Sequence, residues 1–194
     1  MIRTGIFGGS FNPIHNGHIA LARQMLKAAP IDEIWFMVSP LNPLKKESSD
    51  LLDDDLRLKM VQMALQDEKR LVACDYEFRL PIPSYTWNTL QSLSHDYPER
   101  QFILLIGADN WEAFPQWSNH RQILEKYPIV IYPREGSSID STLLPHNVYL
   151  IETELFHTSS TDIRQRIRKG ESVAHLIPPA VAQIIKENGW YKGE

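Results

Sequence analysis

The feature that most constrains the fold is a repeated alternation of short apolar runs with stretches of helical spacing. Runs of strand length, rich in β-branched and aromatic residues, occupy positions 4–7, 34–38, 71–74, 102–106, 129–132 and 148–151. Between most of these runs, apolar residues recur at helical intervals, as Ile19, Ala22, Leu26 and Ala29 do. This order predicts an α/β fold: a Rossmann-like, doubly wound and mostly parallel sheet with helices on both faces.

Four further helices are predicted from caps and apolar spacing. Three aspartates open the first, and acidic groups suit the positive end of its dipole; Ser84 caps the second. The third covers residues 161–168 and the fourth residues 179–188. The predicted buried stripes are Leu56, Met60, Met63 and Ala64 in the first helix, Trp87, Leu90, Leu93 and Tyr97 in the second, and Val181, Ile184 and Ile185 in the fourth.

Length and charge limit the class of protein. A chain of 194 residues with no composition break predicts a single domain over 1–194, with a C-terminal helical part from about 158 packed on it. The net charge of −4 disfavours nucleic acid and anionic membranes as partners. With one cysteine, Cys74, an internal disulfide is excluded. No run approaches the ~20 apolar residues of a membrane span, and no signal peptide is recognised at the start. We therefore expect a cytoplasmic protein; its oligomeric state, a homo-oligomer included, stays open.

The first strand runs into a segment suited to phosphate binding. Residues 8–18 read Gly-Gly-Ser-Phe-Asn-Pro-Ile-His-Asn-Gly-His and lead into a helix, where unpaired backbone N–H groups and the dipole favour anions. The segment is neither a P-loop nor a dinucleotide fingerprint. It supplies His15 and His18, whose ring N–H groups can donate to phosphate oxygens, more strongly when protonated. A surface histidine pair and a metal-binding pair are the two alternatives.

Other polar residues follow the ends of the predicted strands. Residues 159–161 place Ser, Ser and Thr at a helix start one turn before Arg164, which would make a polyphosphate clamp; a capped helix with a solvated arginine is the alternative. Lys45 and Lys46 lie on a proline-bounded loop that suits closure over a triphosphate, or are simply solvated. Asp109 follows the strongest strand and is placed for a ribose hydroxyl, with a helix cap as its alternative. Trp117 offers a face for stacking on a ring, with core packing as its alternative.

These motifs resemble the nucleotidyltransferase superfamily. Gly8–Pro13 followed by His15-x-Gly17-His18 is similar to its first signature, and residues 158–164 are similar to its second, which usually reads I-S-S-T-x-I-R. The segments 83–90, 106–110 and 114–117 resemble, in order, those of the bacterial nicotinate-mononucleotide adenylyltransferases. Two positions depart from that family: residues 43–46 read Pro-Leu-Lys-Lys where Pro-Pro-His-Lys is common, and Asn12 stands where Asp is frequent.

The resemblance implies transfer of AMP from ATP to nicotinate mononucleotide, with release of pyrophosphate and formation of deamido-NAD. It implies that Mg²⁺ enters mainly on the ATP phosphates. The site residues follow from the matched motifs. The residues implied in catalysis are His15, His18, Lys46 and Arg164. Those implied in ATP binding are Gly8, Gly9, Ser10, Phe11, Gly17, Gly107, Asp109, Arg134, Ser159, Ser160 and Thr161. Those implied in mononucleotide binding are Asn12, Tyr85, Thr86 and Trp117.

The sequence leaves two other functions open. One is a different adenylyl or cytidylyl transferase of the same superfamily, against which the Tyr85-Thr86 and Trp117 segments argue. The other is a nucleotide-binding regulator without catalysis, against which both histidines and Arg164 argue. The sequence leaves open whether nicotinate or nicotinamide mononucleotide is preferred.

Overall fold

Parallel strands form the centre of the molecule. The computed structural model describes residues 1–40 and 50–193. Within them, six strands make one sheet in the order β3-β2-β1-β4-β5-β6, and every neighbouring pair is parallel. The strands are β1 (Ile2–Gly9), β2 (Glu33–Val38), β3 (Leu71–Cys74), β4 (Arg100–Gly107), β5 (Ile129–Tyr132) and β6 (Val148–Leu150). This confirms the predicted doubly wound sheet, since the strand order reverses between β1 and β4.

Helices cover both faces of this sheet. They are α1 (Asn16–Ala28), α2 (Asp54–Leu65), α3 (Thr86–Asp96), α4 (Ala108–Ala113), α5 (His120–Lys126), α6 (Ser160–Arg168) and α7 (Pro179–Asn188). Short 3₁₀ turns occupy Tyr76–Arg79, Phe114–Gln116 and Ser141–Leu143. None of the helices in the described residues has the length and apolar character that crossing a bilayer requires.

The alternation of side chains along each strand builds two separate apolar layers. Phe7, Phe36 and Leu105 pack on one face of the sheet with residues of α1, α2, α6 and α7. Leu104 and Ile131 point to the other face, which α3 and α5 cover. Because side chains alternate with a period of two, continuous apolar strands serve both layers at once.

Two helix predictions need correction. The buried face of α2 is formed by Arg57, Met60, Val61 and Leu65, so it is rotated from the predicted stripe and has an arginine at its centre. The N-cap of α3 is Tyr85, which makes no side-chain capping bond, instead of Ser84. The reason is that both side chains are buried: Arg57 donates to backbone carbonyl oxygens, including that of Ser10, and Ser84 lines a cavity described below.

Candidate active site

A large cavity lies where the polar segments meet at the carboxyl ends of β1 and β4. Its volume is about 610 Å³. Its lining includes Asn12, which is predicted for mononucleotide binding, and twelve residues predicted for catalysis or ATP binding: Gly8, Gly9, Ser10, Phe11, His15, His18, Asp109, Arg134, Ser159, Ser160, Thr161 and Arg164. The structure therefore brings the two sequence motifs together at the switch point of the sheet, where ligands of such folds bind.

The two histidines cap the first helix and each other. His15 is the N-cap of α1, and its Nδ1 accepts from the backbone N–H of His18 at 3.3 Å. In return, the backbone N–H of His15 donates to Nδ1 of His18 at 3.2 Å. The rings stack with their centroids 3.6 Å apart. The pair is thus held rigidly at the helix start, and the first turn needs no Ser/Thr cap.

This reciprocal capping decides which ring nitrogen carries the proton. A nitrogen that accepts a hydrogen bond has no hydrogen of its own, so in the neutral ring the proton sits on Nε2. Both residues line the large cavity. The arrangement can therefore present two Nε2–H donors, side by side, to an anion.

Burial keeps His15 neutral. Its side chain is 4% exposed, and burial, together with the positive charge of Arg134, lowers its pKa to about 4. At pH 7 it is a neutral hydrogen bond donor, which differs from the protonated form considered from the sequence.

The buried imidazole makes stability depend on pH. Unfolding returns the pKa of His15 from about 4 to its ordinary value near 6.5, so between these values the unfolded chain binds more protons. We expect His15 to reduce the free energy of unfolding by about 3 kcal/mol as the pH falls from 6.5 to 4. In urea unfolding across this pH range, the free energy of unfolding should fall less for His15→Gln than for the wild type. For His146→Gln, a control at an exposed position, it should fall as much as for the wild type. Parallel curves for His15→Gln and the wild type would contradict the burial of a neutral ring.

Two glycines of the predicted ATP site lie close to side chains around the cavity. A Cβ on Gly17 would lie 3.0 Å from Nδ1 of His15, so this glycine makes room for the stacked rings. A Cβ on Gly107 would collide with the Asp109 carboxylate and would lie 2.8 Å from Cγ of Arg134. Asp109 and Arg134 themselves form an ion pair at 3.5 Å, half exposed at the rim of the cavity.

The second motif is fastened to the first. Ser159 caps α6 by accepting from the backbone N–H of Asp162. The Ser160 hydroxyl donates to the carbonyl oxygen of Pro13 at 2.8 Å. Nη1 of Arg164 donates to the carbonyl oxygen of Asn12 at 2.8 Å, and its Nε lies 3.7 Å from the Asp50 carboxylate. The start of α6 is thereby fixed against the 8–18 segment, with its first N–H groups available to an anion.

Asn12 holds the turn from inside. Its Nδ2 donates to the carbonyl oxygen of Asp50 at 2.9 Å, while its Oδ1 accepts from the backbone N–H of Leu52 and from the hydroxyl of Tyr191. The side chain is 5% exposed. Its amide therefore positions the turn, and the mononucleotide contact implied for Asn12 by the resemblance stays a prediction. The ring of Phe11 is likewise packed against Phe7 and Phe36.

A smaller cavity of about 170 Å³ adjoins the large one and shares Gly8, Gly9 and Asn110 with it. Its lining includes Tyr85, Thr86 and Trp117, the three residues that the resemblance assigns to the pyridine ring and its carboxylate. Trp117 packs against Phe114 with the rings tilted by 53° and their centroids 5.4 Å apart. The structure thus places a small pocket beside the cavity that the two motifs line.

Three buried polar atoms of this smaller cavity have no hydrogen bond partner among the described residues: Oε2 of Glu77, Oγ of Ser84 and Nε1 of Trp117. Unpaired buried polar groups are rare, because each costs about 1–3 kcal/mol. A polar ligand would pair them. The sequence does not single out Glu77, since one acidic residue in a 3₁₀ turn carries no pattern.

Lys45 and Lys46 lie outside the described residues, so their predicted role stays a prediction. Among residues 1–40 and 50–193, no group of three or more His, Cys, Asp and Glu side chains is arranged to hold a metal ion.

Comparison with known proteins identifies close relatives. The cytidylyltransferase-like family model matches residues 6–166. A probable nicotinate-nucleotide adenylyltransferase of Bacteroides fragilis is 46% identical over 183 residues, covering 94% of this chain and 90% of the relative. The protein of the same name from Flavobacterium johnsoniae is 40% identical over 193 residues, covering 98% and 100%. Among solved structures, Plasmodium falciparum nicotinic acid mononucleotide adenylyltransferase complexed with NaAD has a TM-score of 0.81 at 19% identity, over 98% of each chain; this likeness shows the fold.

Proposed function

The chain belongs to the nicotinate-nucleotide adenylyltransferase family, and from this premise we propose that its two adjoining cavities hold the two substrates of adenylyl transfer. The reaction transfers AMP from ATP to nicotinate mononucleotide, releases pyrophosphate and forms deamido-NAD in NAD biosynthesis. The observation that carries the assignment of the cavities is the meeting of the two motifs, around His15 and Arg164, beside the pocket of Tyr85, Thr86 and Trp117.

The chemistry needs no protein nucleophile. The phosphate of the mononucleotide is already an anion at neutral pH, so the protein aligns it with the α-phosphorus of ATP and neutralises charge that develops toward pyrophosphate. We assign the Nε2–H groups of His15 and His18 to the α and bridging phosphate oxygens. Arg164, the N–H groups at the start of α6 and Lys46 are assigned to the β and γ oxygens.

Mg²⁺ enters this proposal as part of the ATP complex. The donors at the cavity are imidazole, hydroxyl, guanidinium and backbone groups, with Asp109 already paired to Arg134. Because Mg²⁺ prefers oxygen ligands and keeps several waters, phosphates and water would be its main ligands. When bound with ATP, it would supply positive charge beside the triphosphate.

A pyrophosphate-release assay tests the function. The protein is given ATP with nicotinate mononucleotide, then with nicotinamide mononucleotide and with phosphopantetheine, and CTP replaces ATP in a parallel series. We expect release with ATP and a pyridine mononucleotide. Release with phosphopantetheine or CTP alone would identify another transferase of the superfamily, and ATP binding without release would identify a regulator. We place the reaction in the cytoplasm, where ATP is available, and cell fractionation tests that placement.

Trp117 is proposed to stack on the pyridine ring. Loss of its face should remove about 1.4 kcal/mol of binding, so Trp117→Ala should raise the KM for the mononucleotide about tenfold and leave the KM for ATP near that of the wild type. Steady-state kinetics with each substrate varied in turn provides the measurement. Trp117→Phe, which keeps an aromatic face, is the control and should stay within a few fold of the wild type. An unchanged KM in Trp117→Ala would reject stacking.

A further inference from the structure

Glu77 is a buried carboxyl group in the smaller cavity that the adenylyl transfer chemistry does not use. It lies in the 3₁₀ turn Tyr76–Arg79, between β3 and α3. The residue is 8% exposed and lines the cavity together with Tyr85, Thr86 and Trp117. A carboxyl group is unexpected in the lining of a pocket that is proposed to bind the negatively charged carboxylate of the pyridine ring.

The surroundings of Glu77 are polar but uncharged. Its Oε1 accepts from the Thr89 hydroxyl of α3 at 2.8 Å, and its Oε2 is buried without a partner among the described residues. The Ser39 hydroxyl after β2 and the Ser84 hydroxyl before α3 lie near enough to favour the ionised form, although the Ser84 hydroxyl and Oε2 make no contact with hydrogen-bond geometry. Burial outweighs all three hydroxyls and raises the pKa of Glu77. No ion pair with Glu77 occurs within residues 1–40 and 50–193.

The same pocket offers donors to a ligand carboxylate. The helix α3 has 11 residues, begins at Thr86 and has no side-chain cap, so its first N–H groups have no partner within the helix. Ser84 is 7% exposed, and its hydroxyl makes no contact with hydrogen-bond geometry in the part of the chain that the structure describes. A helix N-terminus beside unpaired buried hydroxyl and indole groups is suited to an anion.

A ligand carboxylate at this place brings two carboxyl groups into one small, buried pocket. Two carboxylates that share a site cannot both stay ionised at low cost, so one of them takes up a proton. A carboxylic acid then donates a short hydrogen bond to the carboxylate beside it. The Oε2 atom of Glu77, which lacks a partner, is the place for that proton.

Resting on the proposed function, we propose that Glu77 is a specificity-determining residue that takes up one proton from solvent when nicotinate mononucleotide binds and donates it, as Oε2–H, in a hydrogen bond to the ring carboxylate. One proton is gained by Glu77 and none is lost by the ligand, so the pocket holds a single negative charge. Nicotinamide mononucleotide needs no such proton, because its amide N–H donates to the ionised Glu77. The preference for acid over amide therefore falls as the pH rises.

Proton uptake is the direct measurement. Calorimetric titrations of the whole protein with each mononucleotide, repeated in buffers of different ionisation enthalpy from pH 5 to 9, give the number of protons bound. The two ligands carry the same ribose phosphate, so their difference isolates the ring substituent. We expect the acid to bind up to one proton more than the amide, and KM for the acid to rise up to tenfold per pH unit above the pKa of Glu77 in the free protein. This comparison in the wild type needs no variant.

Substitution separates Glu77 from other groups. The amide of Glu77→Gln mimics the protonated acid, so this variant should show no excess proton uptake and a KM for nicotinate mononucleotide that does not change with pH. Asp75→Asn, the same change at an exposed position two residues away, should match the wild type. Equal proton uptake for the two ligands at every pH, or the same excess in Glu77→Gln as in the wild type, would overturn the inference. Failure to release pyrophosphate with either mononucleotide would overturn the proposed function, and this inference with it.

Discussion

Replacement of His18 by alanine should lower kcat about a hundredfold to a thousandfold while the protein stays folded. The imidazole is proposed to donate from Nε2 to charge that develops as the α-phosphorus is attacked, and loss of one such donor typically has an effect of this size. The variant also loses the acceptor for the backbone N–H of His15, which costs about 1 kcal/mol of stability. Thermal unfolding and pyrophosphate release, measured on the same sample, separate the two effects.

His95→Ala is the matched control for that experiment. His95 is an exposed residue in the last turn of α3 and lines neither of the cavities described above. Its replacement should leave kcat unchanged. A His18→Ala protein that turns over within a few fold of the wild type would remove His18 from the chemistry.

Replacement of Arg57 by methionine should lower the free energy of unfolding by about 4 kcal/mol. The guanidinium is fully buried and donates to four backbone carbonyl oxygens, those of Ser10, Ser39, Pro40 and Leu52, and to the Asp54 carboxylate. Methionine fills the space but leaves these acceptors without a donor. Because Ser10 belongs to the 8–18 segment, we also expect a higher KM for ATP in the protein that remains folded.

Arg70→Met provides the comparison for Arg57→Met. The Arg70 guanidinium also donates to two carbonyl oxygens, of Ile31 and Asp32, but the residue is exposed and water can replace it. Its loss should cost less than about 1 kcal/mol. Urea unfolding of both variants provides the test, and equal midpoints would show that the buried guanidinium of Arg57 contributes little to stability.

The strands and the two motifs are predictable from sequence because their signals are local. A parallel strand that is covered on both faces is a continuous apolar run, and residues 71–74 and 129–132 match β3 and β5 to the residue. The motif around His15 and His18 consists of neighbouring residues, so it can be recognised in the sequence. The predicted topology of the fold then gives its position at the end of β1. The short helices α4 and α5, of 6 and 7 residues, are too brief for a helical period to stand out.

The remaining features depend on partners far away along the chain. Arg57 is taken as exposed by any rule based on residue type, and its acceptors Ser10 and Leu52 are known only once β1, β2 and α2 have met. The Asn12 amide is paired with Tyr191, 179 residues away. The proposed role of Glu77 depends on its hydrogen bond with Thr89 and on the pocket that both residues line. Such pairings leave no periodic trace in the sequence.

The position of bound triphosphate tests the central claim most directly. A crystal structure of the protein with a non-hydrolysable ATP analogue should show Nε2 of His15 and of His18 about 3 Å from phosphate oxygens. On the opposite side of the same triphosphate, the N–H groups at the start of α6 and the Arg164 guanidinium should contact the β and γ oxygens. A triphosphate that lies outside the cavity between these two motifs would contradict the account.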